Sequence, residues 1–278
     1  MRLLLNGELK MKIKNILLTL IVFAAIVKAQ TGSINNTLGT GESFIVKDAT
    51  DNFLRVDQLT GNTIFLRNLE LGNQDNSNQS IGLITKNGIR FIHNYRSLGT
   101  DGFNTFVGLY SGNFPSVSGP NYYASYNTSV GFGSIAALTS GFSNSALGWG
   151  SLTSNTTGFR NSAFGDASLY SNTTGDGNAA FGYHSLFSNQ DGYSNSAFGQ
   201  EALYFSNGLW NSAFGFQSLY SNTANNNSAF GNRSLYSNTS GEGNNAFGSQ
   251  ALYSNATGYW NSAFGSQSLY SNYSGDQN

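Results

Sequence analysis

The sequence predicts an all-β protein: a β-solenoid (β-roll) of about ten 16–17-residue coils, preceded by a short strand-rich N-terminal region. Three observations predict it. A motif of the form Asn-Ser-Ala-Phe-Gly returns at near-constant spacing, and a second motif, Ser-Leu-Tyr-Ser-Asn, follows most copies at a fixed distance. The 278 residues also include 34 Gly but only 2 Pro and no Cys, so turns are frequent and disulfides are excluded.

The repeat is clearest from Asn161, where Asn161-Ser162-Ala163-Phe164-Gly165 leads to Ser168-Leu169-Tyr170-Ser171-Asn172 and a Gly-rich link. Copies begin at Asn178, Asn195, Asn211, Asn227, Asn244 and Asn261, with weaker ones at Asn144, Asn127 and Asn104. The apolar residue near the end of the first motif falls at 107, 130, 147, 164, 181, 198, 214, 230, 247 and 264. Such a unit cannot stand alone. Ordering it costs on the order of 20 kcal/mol of backbone entropy, whereas burying three large side chains returns roughly 5–9 kcal/mol. Coils must therefore stack, so that equivalent residues form ladders and strand hydrogen bonds run from coil to coil. The period is too short for helical or leucine-rich repeats.

Within a coil, Ser162-Ala163-Phe164 reads as a short strand with Phe164 pointing inward, and Gly165 as a corner. Ser168-Leu169-Tyr170 reads as a second strand or a single helical turn, with the strand favoured. The expected core ladder is Phe164, Phe181, Phe198, Phe214, Phe230, Phe247 and Phe264 with Leu169, Leu186, Leu203, Leu219, Leu235, Leu252 and Leu269. Asn161 and Asn172 recur in register and suit side-chain hydrogen-bond ladders. Ten coils at a strand spacing of ~4.8 Å make a rod of about 50 Å.

Residues 30–96 read differently. Alternation replaces the period in Phe44-Ile45-Val46, Phe53-Leu54-Arg55-Val56, Ile64-Phe65-Leu66 and Ile89-Arg90-Phe91-Ile92. Asn87-Gly88 between two apolar runs signals a hairpin. The 23-residue gap between Val107 and Val130 reads as a loop inserted over Gly112–Tyr126, which carries both prolines. The solenoid is assigned to residues 97–278.

Met1–Ala29 reads as a secretory signal peptide: Lys10, Lys12 and Lys14, an apolar run from Ile16 to Val27, then Ala29 before Gln30. Met11 is an alternative start, and a retained membrane anchor is the alternative reading, although the run is shorter than the ~20 residues a bilayer requires. Cleavage removes five basic side chains and one acid, leaving a net charge of −5. The expected location is secreted or cell-surface, with no membrane span after cleavage. Thirteen Lys and Arg against fourteen Asp and Glu provide no basic field for nucleic acid.

If Leu169 and its equivalents face inward, the next residue faces out. Tyr170, Tyr204, Tyr220, Tyr236, Tyr253 and Tyr270, with Phe187, then form one aromatic stripe. A long apolar stripe usually marks an interface, so a homotrimer of rolls around one axis is expected. A glycan, or a host or particle surface, is the other candidate partner for the stripe.

Phe91-Ile92-His93-Asn94, Asn104-Thr105-Phe106-Val107-Gly108, Gly112-Asn113-Phe114 and the repeated motifs resemble the repeat region of secreted and phage-like fibre proteins. Many of these end in an endosialidase-type intramolecular chaperone domain. The repeat is also similar in style to trimeric autotransporter adhesin heads. The resemblance covers about residues 88–278 and implies a trimeric fibre or adhesin stalk. The chain stops at Asn278 directly after a repeat, which is compatible with a C-terminally truncated repeat region.

No catalytic constellation is legible, and the chain is read as a non-enzyme with no cofactor and no metal. Gly131-Phe132-Gly133-Ser134-Ile135-Ala136 matches a dinucleotide fingerprint in spelling only, because its glycines belong to the repeat. His184 occupies a variable repeat position and reads as a solvated loop residue, while His93 reads as a packed or capping histidine. Asp166, Asp176, Asp191, Glu201, Glu242 and Asp276 lie at unrelated coil positions, unlike the fixed acids of calcium-binding rolls. The Asn-x-Ser/Thr sequences at Asn127, Asn155, Asn172, Asn226, Asn232, Asn238, Asn255 and Asn272 read as turns rather than glycan acceptors. The expected function is an extracellular structural or adhesive fibre. The alternatives are a carbohydrate-binding module using the Tyr ladder and an ice-binding or other periodic surface.

Overall fold

In a computed structural model the described residues are 43–47, 52–57, 63–65, 83–86, 89–97, 99–113 and 118–278. The signal-peptide reading of residues 1–29 lies outside them. The chain divides into two units, Met1–Glu70 and Leu71–Asn278.

The first unit holds a three-stranded antiparallel sheet: β1 (Ser43–Lys47), β2 (Asn52–Asp57) and β3 (Thr63–Phe65), in that order. These match the first three of the four alternating segments read from the sequence.

The second unit is a β-solenoid. It opens with the antiparallel hairpin β4 (Leu83–Lys86) and β5 (Ile89–His93), and β5 pairs antiparallel with β6 (Thr105–Val107). The hairpin thus shares a sheet with the solenoid, rather than with the strands before residue 70. All later strands pair in parallel, each with its sequence neighbour: β7 (Thr128–Val130), β8 (Ser145–Leu147), β9 (Ser162–Phe164), β10 (Ala179–Phe181), β11 (Ser196–Phe198), β12 (Ser212–Phe214), β13 (Ser228–Phe230), β14 (Asn245–Phe247) and β15 (Ser262–Phe264). Register is strict: Ala180 sits opposite Ala163 and Ala197, and Phe181 opposite Phe164 and Phe198. From β7 to β15 the chain makes eight turns of 16 or 17 residues.

Each coil has only one strand. The Ser-Leu-Tyr segment is neither strand nor helix, which corrects both expectations for it. It is a turn in which the leucine adopts the left-handed conformation, with φ between 48° and 52° from Leu152 to Leu269. The residue two before it is also left-handed (Ala167, φ 51°; His184, φ 54°), as is the residue before the repeat asparagine (Arg160, φ 56°; Trp210, φ 55°). A left-handed non-glycine residue costs roughly 1–2 kcal/mol. The stack holds it there by taking the backbone hydrogen bonds between coils. The Leu169 N–H donates to the Ser185 carbonyl at 3.0 Å, and the Ser171 N–H to Phe187 at 3.1 Å.

The interior is correspondingly narrow. Ala163, Ala180, Ala197, Ala213, Ala229 and Ala246 form one buried column. The leucines from Leu152 to Leu252 form the facing one, and they too are buried. Serines fill the space before the leucines, as where the buried Ser168 Oγ–H donates to the Gly165 carbonyl at 3.1 Å.

Two buried asparagine ladders run along the roll, the second interrupted at Ser206. Asn178 Nδ2 donates to the Gly192 carbonyl of its own coil at 2.8 Å, and its N–H donates to Asn161 Oδ1 of the preceding coil at 2.9 Å. In the second ladder Asn172 Nδ2 donates to Asn155 Oδ1 at 2.8 Å and to Gly175 at 3.1 Å. Asn155, Asn172, Asn238 and Asn255 are therefore buried turn residues with occupied amides.

Candidate functional site

The surface of the roll follows from the phase of its strands. A three-residue strand points its middle residue one way and its outer two the other. The middle residue, Ala163, is the buried one, so Ser162 and Phe164 face outward. This overturns the expectation that Phe164, Phe181, Phe198, Phe214, Phe230, Phe247 and Phe264 form the core: they are half-buried or exposed, reaching 71% exposure at Phe264. The physical reason is width. A coil tightened by three left-handed residues has room between its walls for Ala facing Leu, but not for a row of phenyl rings. The leucine column lies inside as read, except that Leu269 in the last coil is partly exposed.

The outward phenylalanines stack on one another. Successive centroids from Phe164 to Phe264 lie 4.6–5.1 Å apart, with planes 3–5° from parallel. Val107, Val130 and Leu147 occupy the equivalent strand positions in the earlier coils. The column is thus apolar through ten coils.

The tyrosine column stacks in the same way. Tyr170, Phe187, Tyr204, Tyr220, Tyr236, Tyr253 and Tyr270 follow at 5.0–5.3 Å, and Trp149 adds a looser contact to Tyr170 at 6.2 Å. Beside it runs a polar ladder at the variable repeat position. Gln217 Nε2 donates to Glu201 Oε2 at 2.7 Å, and Arg233 Nε donates to Gln217 Oε1 at 2.8 Å. The Arg233 guanidinium lies 5.8 Å from the Tyr236 ring. Burial among the rings, and then the Glu201 charge, push the Tyr220 hydroxyl pKa up. His184 is half-buried rather than solvated, stacked on Tyr183 at 3.8 Å and tilted against Phe187 and Tyr204.

This geometry limits what each surface can do. A sugar ring stacks on a free aromatic face. Within the tyrosine column each face is covered by the next ring, so mainly edges and hydroxyls remain. A periodic Thr surface needs free hydroxyls, but Thr139, Thr156, Thr173, Thr223 and Thr239 each donate theirs to a carbonyl of the following coil. The Gly-x-Gly-x-x-Ala match at residues 131–136 sits in a coil corner, with Ile135 buried.

His93 is buried at the start of the roll. It packs on Phe106 at 4.8 Å, and its Nε2 lies 2.8 Å from the Ser111 carbonyl. Burial lowers its pKa to about 4, against the hydrogen bond to Ser111 and with a smaller push from Arg90. Among the described residues no group of His, Cys, Asp and Glu is placed to hold a metal ion, and no helix is long and apolar enough to cross a membrane.

A third outer column escaped the sequence reading. Two residues before the repeat asparagine stand Phe142, Phe159, Asp176 and Tyr193. The link between motifs varies in composition, so only the three-dimensional stack brings these residues into line. No family model, curated protein or solved structure matches the chain.

Proposed function

We propose that this chain is an extracellular structural fibre protein of adhesin type, in which solenoid rolls assemble as a homotrimer. The observation that carries the reading is the unbroken outward apolar column from Val107 to Phe264. Its neighbours on the strand are small, Ser162 on one side and Gly165 on the other, and no charged residue occurs in the column itself. A surface of this kind is best covered by identical surfaces running alongside it. The tyrosine column, with Glu201 and Arg233 beside it, is the better solvent-facing side. The interface is thus assigned to the phenylalanines rather than to the tyrosine stripe. The apolar run at residues 16–27, ending at Ala29, supports export.

Size-exclusion chromatography with light scattering on the full chain tests the assembly. The expected result is a trimer that Phe214→Asp with Phe247→Asp converts to monomer without loss of the β-rich circular dichroism. A wild-type monomer across micromolar concentrations would overturn it.

A further inference from the structure

The third column is interrupted where the other two are continuous. Phe142 and Phe159 stack at 4.8 Å with planes 2° apart, and Tyr122 meets Phe142 edge-on at 4.7 Å. The next coil replaces the ring by Asp176, so the stack ends at Phe159. Beside this break lies a cavity of about 440 Å³, within the usual range for small-ligand pockets. Its lining combines the rings of Tyr122, Phe142 and Phe159 with the side chains of Thr157, Thr174 and Asp176.

The polar groups there are available. The hydroxyls of Thr156 and Thr173 are spent on carbonyls of the next coil, but those of Thr157 and Thr174 make no hydrogen bond among the described residues. Asp176 Oδ1 accepts the Phe159 N–H at 2.9 Å, which fixes the carboxylate at the edge of the ring platform. Its second oxygen has no hydrogen-bond donor among the described residues. Burial pushes the Asp176 pKa up, while the Phe159 N–H and Arg160 pull the other way. The Arg160 guanidinium lies over the Phe159 ring, 5.6 Å from its centroid, on an exposed side chain that a ligand can displace.

We propose that this cleft binds a saccharide ring, stacked on Phe159 and hydrogen-bonded through its hydroxyls to Asp176, Thr157 and Thr174. The chemistry selects that class. A sugar offers an apolar C–H face to an aromatic ring and vicinal hydroxyls to a carboxylate. A wholly apolar ligand would bury the carboxylate unpaired. The cleft is separate from the tyrosine column and does not depend on the assembly of the roll.

The test titrates the full chain with soluble cello-, xylo-, manno- and chito-tetraose and sialyllactose at millimolar concentration, read by saturation-transfer NMR and calorimetry. At least one is expected to bind. Asp176→Asn keeps the Oδ1 acceptor for the Phe159 N–H, so the coil stays folded, and it should weaken binding by about tenfold. Phe159→Ala should abolish binding, and Trp260→Ala, an exposed ring in the last coil, should leave it unchanged. No binding by any of these sugars overturns the proposal. So does binding that Asp176→Asn leaves intact in a protein with wild-type circular dichroism, or that Trp260→Ala reduces equally. Light scattering on the same samples separates the two readings: sugar binding by a monomer removes the trimer and keeps the cleft, and a trimer without sugar binding does the reverse.

Discussion

Asn178 Oδ1 accepts the backbone N–H of Asn195, 17 residues later, at 3.0 Å. The same Asn178 spends its Nδ2 on the Gly192 carbonyl at the far end of its own coil. One side chain therefore both closes a coil and joins it to the next. Repetition of that arrangement from Asn104 to Asn261 pairs the buried amides of this ladder along the roll.

Asn178→Ala should accordingly destabilise more than a half-exposed ladder residue does. It leaves the buried Asn195 N–H without its acceptor, while the Gly192 carbonyl keeps Asn189 Nδ2 as a donor, at a cost of about 1–3 kcal/mol. Hydrogen exchange mapped by mass spectrometry should show faster exchange in residues 178–195 than in wild type. Unchanged protection there would mean that water replaces the amide freely.

Gly182 has φ +135°, and a Cβ on it would lie 2.6 Å from the Gly199 carbonyl oxygen. Gly265, at the same repeat position with φ +112°, has nothing within 4 Å of its Cβ. Gly182→Ala should lower stability by roughly 2 kcal/mol or more, through strain and clash together, and Gly265→Ala by less. Paired thermal melts check the ranking; equal effects would show that backbone conformation alone governs these corners.

The interior and the surface should respond differently to truncation and charge. Leu219→Ala removes a fully buried side chain and should cost about 2–5 kcal/mol in urea unfolding. Phe198→Asp places a carboxylate on the outer face, where water reaches it. Its cost within one chain is limited to stacking with Phe181 and Phe214, about 1–3 kcal/mol, and the circular dichroism should be retained. Collapse of the roll in Phe198→Asp would contradict the outward placement.

His93 should make the start of the roll acid-sensitive. Its pKa falls from 6.5 to about 4 on folding, so below pH 6.5 the unfolded chain binds the proton and the folded one does not. Stability contributed by neutral His93 is complete above pH 6.5, declines as the pH falls toward 4, and levels off below it. The full loss is on the order of 3 kcal/mol at most. Urea unfolding between pH 7 and 4 should show this slope in wild type and a shallower one in His93→Gln. Identical slopes would assign the acid effect to the carboxylates.

Much of the architecture was legible in spelling. The motif spacing announces stacked coils, and the alternating segments before residue 93 announce strands. The leucines from Leu152 to Leu252 proved interior, as their fixed place in the repeat suggests. The cleft at Asp176 was not legible, since its residues come from variable links and from Tyr122 in the inserted loop. The phase of the short strand was not legible either. Ser-Ala-Phe is compatible with either face inward, and hydrophobicity alone favours burying Phe.

The order of residues determined that equivalent positions lie one above another, because a 17-residue unit has too little apolar surface to be stable alone and identical units satisfy each other's backbone. The folded chain decided which side of each strand is inside. Left-handed turns at Ala167, Leu169 and Arg160 draw the walls together until alanine fits and phenylalanine does not, and that fit depends on distances across the coil that no local pattern encodes.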